Sequence, residues 1–319
     1  MKAMREAYGE ALVELGKINP DVLVLDADVS SSTRSALFGS TYPERFFNVG
    51  IAEGNMMSIA AGLATTGKMP FVNTFALFCA LRAGDPVRSL IAYNNLNVKI
   101  GGAYGGLSDS YDGASHQSVE DVAIMRAIPN MTVVVPADEH AIRQAVFAAA
   151  RHNGPVYLRI SRAELPPVYN PGMSFEIGKA IVIRPGKDVS IFANGYMVAK
   201  ALEAAGILDQ EGIQAEVIDM HTVKPLDGEA VIRSVAKTGA AVTAEEHSIY
   251  GGLGSAVAEV MAKHGLGPLE SVGIADKFGE SGAYEDILTK YGLDKTAIAG
   301  AARNAIAGRT KHGSVRSMR

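Results

Sequence analysis

Short apolar runs alternate along this chain with longer segments whose apolar residues recur at helical spacing. Val22-Leu23-Val24-Leu25 is the first run, and Phe46-Phe47-Asn48-Val49, Phe71-Val72-Asn73-Thr74 and Leu96-Asn97-Val98-Lys99-Ile100 follow. Thr132-Val133-Val134-Val135 and Val156-Tyr157-Leu158-Arg159-Ile160 complete the series. Between them, Asn55 to Ala64 and Glu139 to Arg151 are rich in Ala, Glu and Met and read as helices. This alternation predicts an α/β fold with a parallel sheet covered by helices.

The pattern breaks at Ala163 to Gly172, where three prolines and a glycine exclude a continuing helix or an inner strand. A second α/β series follows: Val189 to Ala193, Ala215 to Asp219, Ala240 to Ala244 and Ser271 to Ile274. The expected organisation is two parallel-sheet domains, over residues 1–165 and 181–310, with a linker over 166–180 and a tail over 311–319. No short-period repeat or low-complexity block interrupts it. The basic tail, with Arg309, Lys311, Arg316 and Arg319, reads as a fraying or appended end.

Composition narrows the class. The chain has 319 residues, 48% hydrophobic and 20% charged, which suits globular domains with a sizeable core. A net charge of −4 gives no concentrated basic face for nucleic acid. A single cysteine, Cys79, excludes an intrachain disulfide and fits a reducing compartment. The first residues lack the apolar core of a signal peptide, and no apolar run is long enough for a bilayer span. A cytoplasmic protein is the expectation.

Ligands in such sheets sit at the carboxyl ends of the strands, where several polar clusters fall. Asp26-Ala27-Asp28-Val29-Ser30-Ser31-Ser32 follows the first strand, and Gly50-Ile51-Ala52-Glu53-Gly54-Asn55 opens a helix. Gly101 to His116 is a glycine-rich stretch long enough to suggest a functional loop. Taken singly, these residues have ordinary explanations. A carboxylate such as Glu53 suits the positive end of a helix. Phe75 and Phe78, three apart, read as one helical turn packed in the core. A lone histidine such as His116 is commonly structural, although an aspartate beside it in a glycine-rich loop favours a site.

Taken in order, the motifs resemble a known family. Asn48-Val49-Gly50-Ile51-Ala52-Glu53 resembles the transketolase pyrimidine-domain segment around its essential glutamate. Thr74-Phe75-Ala76-Leu77-Phe78 is similar to the aromatic platform that follows it, and Asp112-Gly113-Ala114-Ser115-His116-Gln117 to the family's Asp-Gly-x-Thr/Ser-His-Gln sequence. Val217 to Asp227 and Glu245 to Gly254 look like the C-terminal domain shared by transketolases, deoxyxylulose-phosphate synthases and 2-oxoacid dehydrogenase β subunits.

The resemblance implies thiamine diphosphate chemistry. Glu53 would hydrogen-bond N1′ of the aminopyrimidine and favour the imino tautomer, whose nitrogen takes the C2 proton. A buried carboxylate and the ring nitrogen would satisfy each other. Phe75, Phe78 and Leu81 would line the pyrimidine pocket, with Asp28 among the cofactor contacts. Asp112 and His116 would meet the hydroxyls of a ketose donor, with His116 also catalytic. Arg162, Arg5 and Ser32 match phosphate contacts, a role suited to the planar guanidinium.

Departures carry equal weight. The family holds the diphosphate through a metal and a Gly-Asp-Gly motif. The nearest match here, Gly84-Asp85-Pro86, has proline in the last place. The implied cofactor is therefore shared. A separate N-terminal transketolase subunit would hold the diphosphate and Mg2+ (or Ca2+), and this chain would supply no metal ligand. An α2β2 assembly is the expectation. Leu81 stands at the third position of the aromatic pocket, and Tyr104 where many transketolases carry a substrate-binding histidine. Tyr104 raises the expectation of an unusual donor or acceptor, such as a branched or sulfonated sugar phosphate. A 2-oxoacid dehydrogenase β subunit, a deoxyxylulose-phosphate synthase and a catalytically silent scaffold subunit stay as alternatives. Gly251-Gly252-Leu253-Gly254 lacks dinucleotide-motif spacing and reads as glycines opening a helix. Dimer contacts are the expected role of the second domain.

Overall fold

The structure is a computed structural model that describes residues 2–170 and 172–316. Two α/β units follow one another along the chain. The first builds a sheet from β1 (Val22–Asp26), β2 (Phe46–Asn48), β3 (Met69–Phe75), β4 (Lys99–Ala103), β5 (Thr132–Val134) and β6 (Val156–Ile160). The second contains β7 (Ile181–Arg184), β8 (Val189–Ala193), β9 (Ala215–Asp219), β10 (Thr222–Lys224), β11 (Ala241–Ser248) and β12 (Leu269–Ile274).

The first sheet has the order β10-β5-β6-β4-β3-β1-β2, and the second β12-β11-β8-β9-β7. Strands β1 to β6 pair parallel, and β1, β4, β5 and β6 are buried at every position. Burial on both faces explains why these strands read as apolar runs rather than as alternation. The same holds for β8 and β9.

The expectation of parallel sheets holds for the inner strands, and each sheet also ends in an antiparallel strand. β7 closes the second sheet against β9, and β10 pairs antiparallel with β5. β10 comes from the second half of the chain but belongs to the first sheet. At three residues it leaves too little pattern to read, and its partner lies far away in sequence.

The proline-rich connector packs against both units. Leu165, Val168, Tyr169 and Phe175 are buried. Asp138 explains the fold there. Its Oδ1 accepts the His140 and Ala141 amides and caps the helix Glu139–Arg151, and its Oδ2 accepts the Val168 and Tyr169 amides at 2.6 and 2.7 Å. Tyr169 then donates to Asp219 at 2.8 Å.

A buried ion pair ties the two units. Arg159 on β6 donates to both carboxylate oxygens of Asp121 at 2.9 Å, and also to the carbonyls of Ser118 and Glu246. The last helix, Lys295–Arg316, continues past the expected domain end at 310. The basic tail is thus helical through Arg316, and residues 317–319 lie outside the described residues. The glycines at 251–254 open the helix Leu253–His264, whose Leu253 and Gly254 amides are taken by the Glu245 carboxylate. A Cβ on Gly252 would lie 2.1 Å from Glu245 Oε2, so close approach of that carboxylate sets the glycine there. A protein carboxylate fills the position where a dinucleotide phosphate would sit.

Candidate active site

Strands β1, β3, β4 and β6 are parallel neighbours, so their carboxyl ends lie along one edge of the sheet. The chain leaves that edge at Asp26, Phe75, Ala103 and Ile160. The site residues follow directly: Asp28 and Ser32 after β1, Phe78 and Leu81 after β3, Tyr104 to His116 after β4, and Arg162 after β6. β2 is parallel to β1 and delivers Gly50, at φ +75°, and then Glu53 at the start of the helix Glu53–Thr65.

A run of contacts joins most of these residues. Glu53 is 5% exposed, and its Oε1 accepts from Arg82 Nη1 at 3.0 Å. The Arg82 guanidinium lies 3.7 Å above the Phe78 ring. Phe78 and Phe75 have ring centroids 5.7 Å apart, and His116 meets both edge-on at 5.6 and 5.8 Å. Phe75 stacks on Tyr104 at 4.7 Å. Tyr104 accepts from Arg5 Nη1 at 2.7 Å, and the Arg162 guanidinium lies 5.1 Å from its ring. Arg162 pairs with buried Asp109 and lies 3.8 Å from exposed Asp112.

The sequence placed Phe75 and Phe78 on one helical turn. In the fold Phe75 ends β3 and Phe78 lies in the short helix Ala76–Ala80, so a strand-to-helix bend brings the rings together. Arg5 is half-buried and also donates to the Ser32 carbonyl at 3.3 Å, so it is not a freely solvated arginine. Leu81 caps the same short helix and is 55% exposed. Asp28 stands apart from the ring cluster. It is exposed, has φ +64°, and accepts from Asn48 at 2.8 Å.

Two site residues escaped the sequence reading. Arg82 carries no motif, and only folding puts it beside Glu53. Asp109 lies three residues before Asp112, and its Oδ2 is buried with no hydrogen bond among the described residues. Burial raises the Asp109 pKa, and the Arg162 guanidinium opposes that rise. Burial works against the Arg162 charge, but the bond to Asp109 together with the fields of Tyr104, Asp109 and Asp112 leaves the guanidinium above its ordinary value. Tyr104 has φ +63°, an uncommon conformation for a non-glycine residue, held by the Phe75 stack and the Arg5 bond.

Two family models cover nearly the whole chain. The transketolase pyrimidine binding domain matches residues 1–168 and the transketolase C-terminal domain residues 178–298. The chain belongs to the transketolase family. It is 48% identical to the putative transketolase C-terminal section of Methanocaldococcus jannaschii, over 93% of this chain and 94% of that protein. It is 44% identical to the 6-deoxy-6-sulfo-D-fructose transketolase subunit SqwH of a Clostridium species, over 94% and 93%. Human transketolase is 37% identical over 95% of the chain, which spans 49% of that protein. Among solved structures, a split gene transketolase described as an inactive beta4 tetramer superposes with a TM-score of 0.91 at 51% identity, covering 97% of this chain and all of that one.

Among the described residues no group of three histidine, cysteine, aspartate or glutamate side chains is placed to hold a metal. No helix among them is long and apolar enough to cross a membrane.

Proposed function

We propose that this chain is the pyrimidine-activating and sugar-binding half of a two-subunit transketolase. It works with an N-terminal transketolase subunit that holds the diphosphate and its Mg2+ (or Ca2+), in an α2β2 assembly. The reaction is transfer of a two-carbon ketol group from a ketose phosphate to an aldose. The observation that carries this reading is the run of contacts from Glu53 through Arg82, Phe78, His116, Phe75 and Tyr104 to Arg162 at one sheet edge.

The residues present suit the aminopyrimidine of thiamine diphosphate. Glu53 is almost wholly buried, and its Oε2 has no hydrogen bond among the described residues. Phe75, Phe78 and Leu81 offer flat and apolar surface beside it. When bound, the cofactor supplies the electron sink for carbon–carbon cleavage. Glu53 would accept or share a hydrogen bond with the ring nitrogen of the bound cofactor. Arg82, half exposed, pairs with the other oxygen of Glu53. Phe75 and Phe78 would orient the ring and exclude water. His116 and Asp112, at the mouth of the glycine-rich loop, hydrogen-bond the sugar hydroxyls. Arg162 and Arg5, with Ser32, receive the phosphate end of the sugar. The Tyr104 hydroxyl accepts from Arg5 and keeps its own hydrogen to offer a substrate, but it brings no positive charge. That favours a donor with an altered chain, such as a branched or sulfonated sugar phosphate. Full activity on xylulose 5-phosphate in a ketose panel would remove the reason for a special substrate.

The test of the reading is reconstitution with the partner subunit, thiamine diphosphate and magnesium. Glu53→Ala should abolish ketol transfer and leave assembly intact. A loss below about tenfold, roughly 1.4 kcal/mol in barrier, would remove Glu53 from this role.

A further inference from the structure

The segment Glu245 to Gly254 has no part in the chemistry proposed above, and dimer contacts were the role expected of its domain. The structure gives it a second set of contacts, aimed at the loop that carries Asp112 and His116. Glu246 lies on β11 and is 5% exposed. Its Oε1 accepts the Leu107 amide at 2.6 Å, and its Oε2 accepts from Tyr284 at 2.8 Å. A Cβ on Gly106 would stand 2.4 Å from Glu246 Oε1, and Gly106 has φ +68°. The loop backbone therefore rests directly on this carboxylate, and only glycine fits there.

A second anchor holds the far side of the loop. The Gly282 amide donates to the Ser110 carbonyl at 2.9 Å. Gln117 Nε2 donates to the Glu280 carbonyl at 3.0 Å. A Cβ on Gly279 would fall 1.7 Å from Gln117 Oε1, and one on Gly113 would fall 2.5 Å from Ser281 Oγ. The second domain thus grips the loop at Leu107, Ser110, Gly113 and Gln117, on both sides of Asp112 and next to His116. The first domain holds the loop at other points: the Ile160 carbonyl accepts the Gly105 amide at 3.1 Å, the Ser108 hydroxyl accepts the Arg162 amide, and Arg162 pairs with Asp109, but it supplies no partner for the Leu107 amide or the Ser110 carbonyl among the described residues. A glycine-rich loop has high conformational entropy, so external anchors decide how well its side chains are placed.

We propose that the second domain positions the sugar-binding loop, and that Glu246 is a positioning residue acting on Asp112 and His116 through the Leu107 amide. This rests on the reading of the site as a transketolase half. Glu246→Gln keeps a carbonyl acceptor for Leu107, whereas Glu246→Ala removes it. The test uses the complex with its partner subunit, thiamine diphosphate and magnesium. It reads hydrogen exchange of the 104–118 peptides, KM for a ketose donor, and thiamine diphosphate affinity. Glu246→Ala should speed exchange in the loop at least tenfold and raise KM about tenfold, with cofactor affinity within twofold. Glu246→Gln should stay within threefold of wild type in both. Gly279→Ala, which crowds Gln117 and the Leu107 side chain while leaving Glu246 in place, should loosen the same peptides and provides the test if the alanine variant at 246 does not fold. Unchanged loop exchange in Glu246→Ala and Gly279→Ala overturns the proposal. So does equal damage in the Ala and Gln variants with parallel loss of cofactor affinity, the mark of general destabilisation. Should the wild-type complex show no ketol transfer, the functional reading fails, while loop exchange still decides the positioning role.

Discussion

Replacing Asp121 by alanine should destabilise this protein strongly. Asp121 is fully buried and Arg159 is 6% exposed. The carboxylate takes two guanidinium bonds at 2.9 Å and the Tyr157 hydroxyl at 2.6 Å. Removing it leaves a buried guanidinium without a countercharge, at a cost of about 3–5 kcal/mol. Loss of the acceptor for Tyr157 adds about 1–3 kcal/mol. At roughly 2–4 °C per kcal/mol, the melting temperature should fall by roughly 8 °C or more. Circular dichroism at 222 nm against temperature reads this directly.

The double variant Asp121→Leu with Arg159→Met should recover much of the loss, since an apolar pair of similar volume avoids the stranded charge. The pH dependence has a definite sign. Burial works against the Asp121 charge, but Arg159, with help from His247 and Tyr157, holds the carboxyl below its usual range. A depressed folded pKa contributes stability above the unfolded value, near 4, and that contribution is lost as pH falls further. The deficit of Asp121→Ala should therefore be full at neutral pH and shrink below about pH 4. A loss under about 1 kcal/mol at pH 7, or a deficit that grows in acid, would refute the reasoning.

Phe78→Ala removes one face of the aromatic pocket and should weaken thiamine diphosphate binding by the complex about 2- to 10-fold, as expected from roughly 0.5–1.5 kcal/mol of ring contact. Calorimetric titration of the reconstituted pair measures it, and unchanged affinity would place the ring elsewhere. Ile51 and Leu81, 75% and 55% exposed, flank Glu53, where a covering subunit would lie. Leu81→Asp should weaken association with the partner at least tenfold by sedimentation, while the isolated chain keeps its melting temperature. Burial pushes Glu246 up to about 7, countered by Arg159 and Tyr284, and Asp219 up to about 8, countered by Tyr169. Raised carboxylates give stability that is full below their unfolded values near 4 and is lost as pH rises through 7 to 8. The urea midpoint should thus fall between pH 5 and 8, and Asp219→Asn should flatten that slope.

Much of the candidate site was legible in the chain. Asn48 to Glu53, Thr74 to Phe78 and Asp112 to Gln117 are local motifs, and each follows a strand that its own apolar run announces. Parallel order then forces their ends to a common edge, so a one-dimensional reading reached Glu53, Phe78, His116 and Arg162 together. Other features left no local mark. Arg82 meets Glu53 only because the helix after β3 folds back over the helix start after β2. Asp109 acquires its buried, half-unpaired carboxylate from the path of the loop above Arg162.

The sequence by itself therefore determined two α/β units, the motifs at their strand ends and the family. These depend on near neighbours: the period of apolar positions, glycine where the backbone turns, and proline where regular structure stops. Only the tertiary structure decided that β10 crosses to the first sheet, that Arg159 is buried against Asp121, and that Glu246 carries the loop of Asp112 and His116. Each joins residues remote in sequence, by a strand pairing, a shared charge or a single amide bond. Such contacts are selected by the packing of the whole chain, and no stretch of sequence encodes them alone.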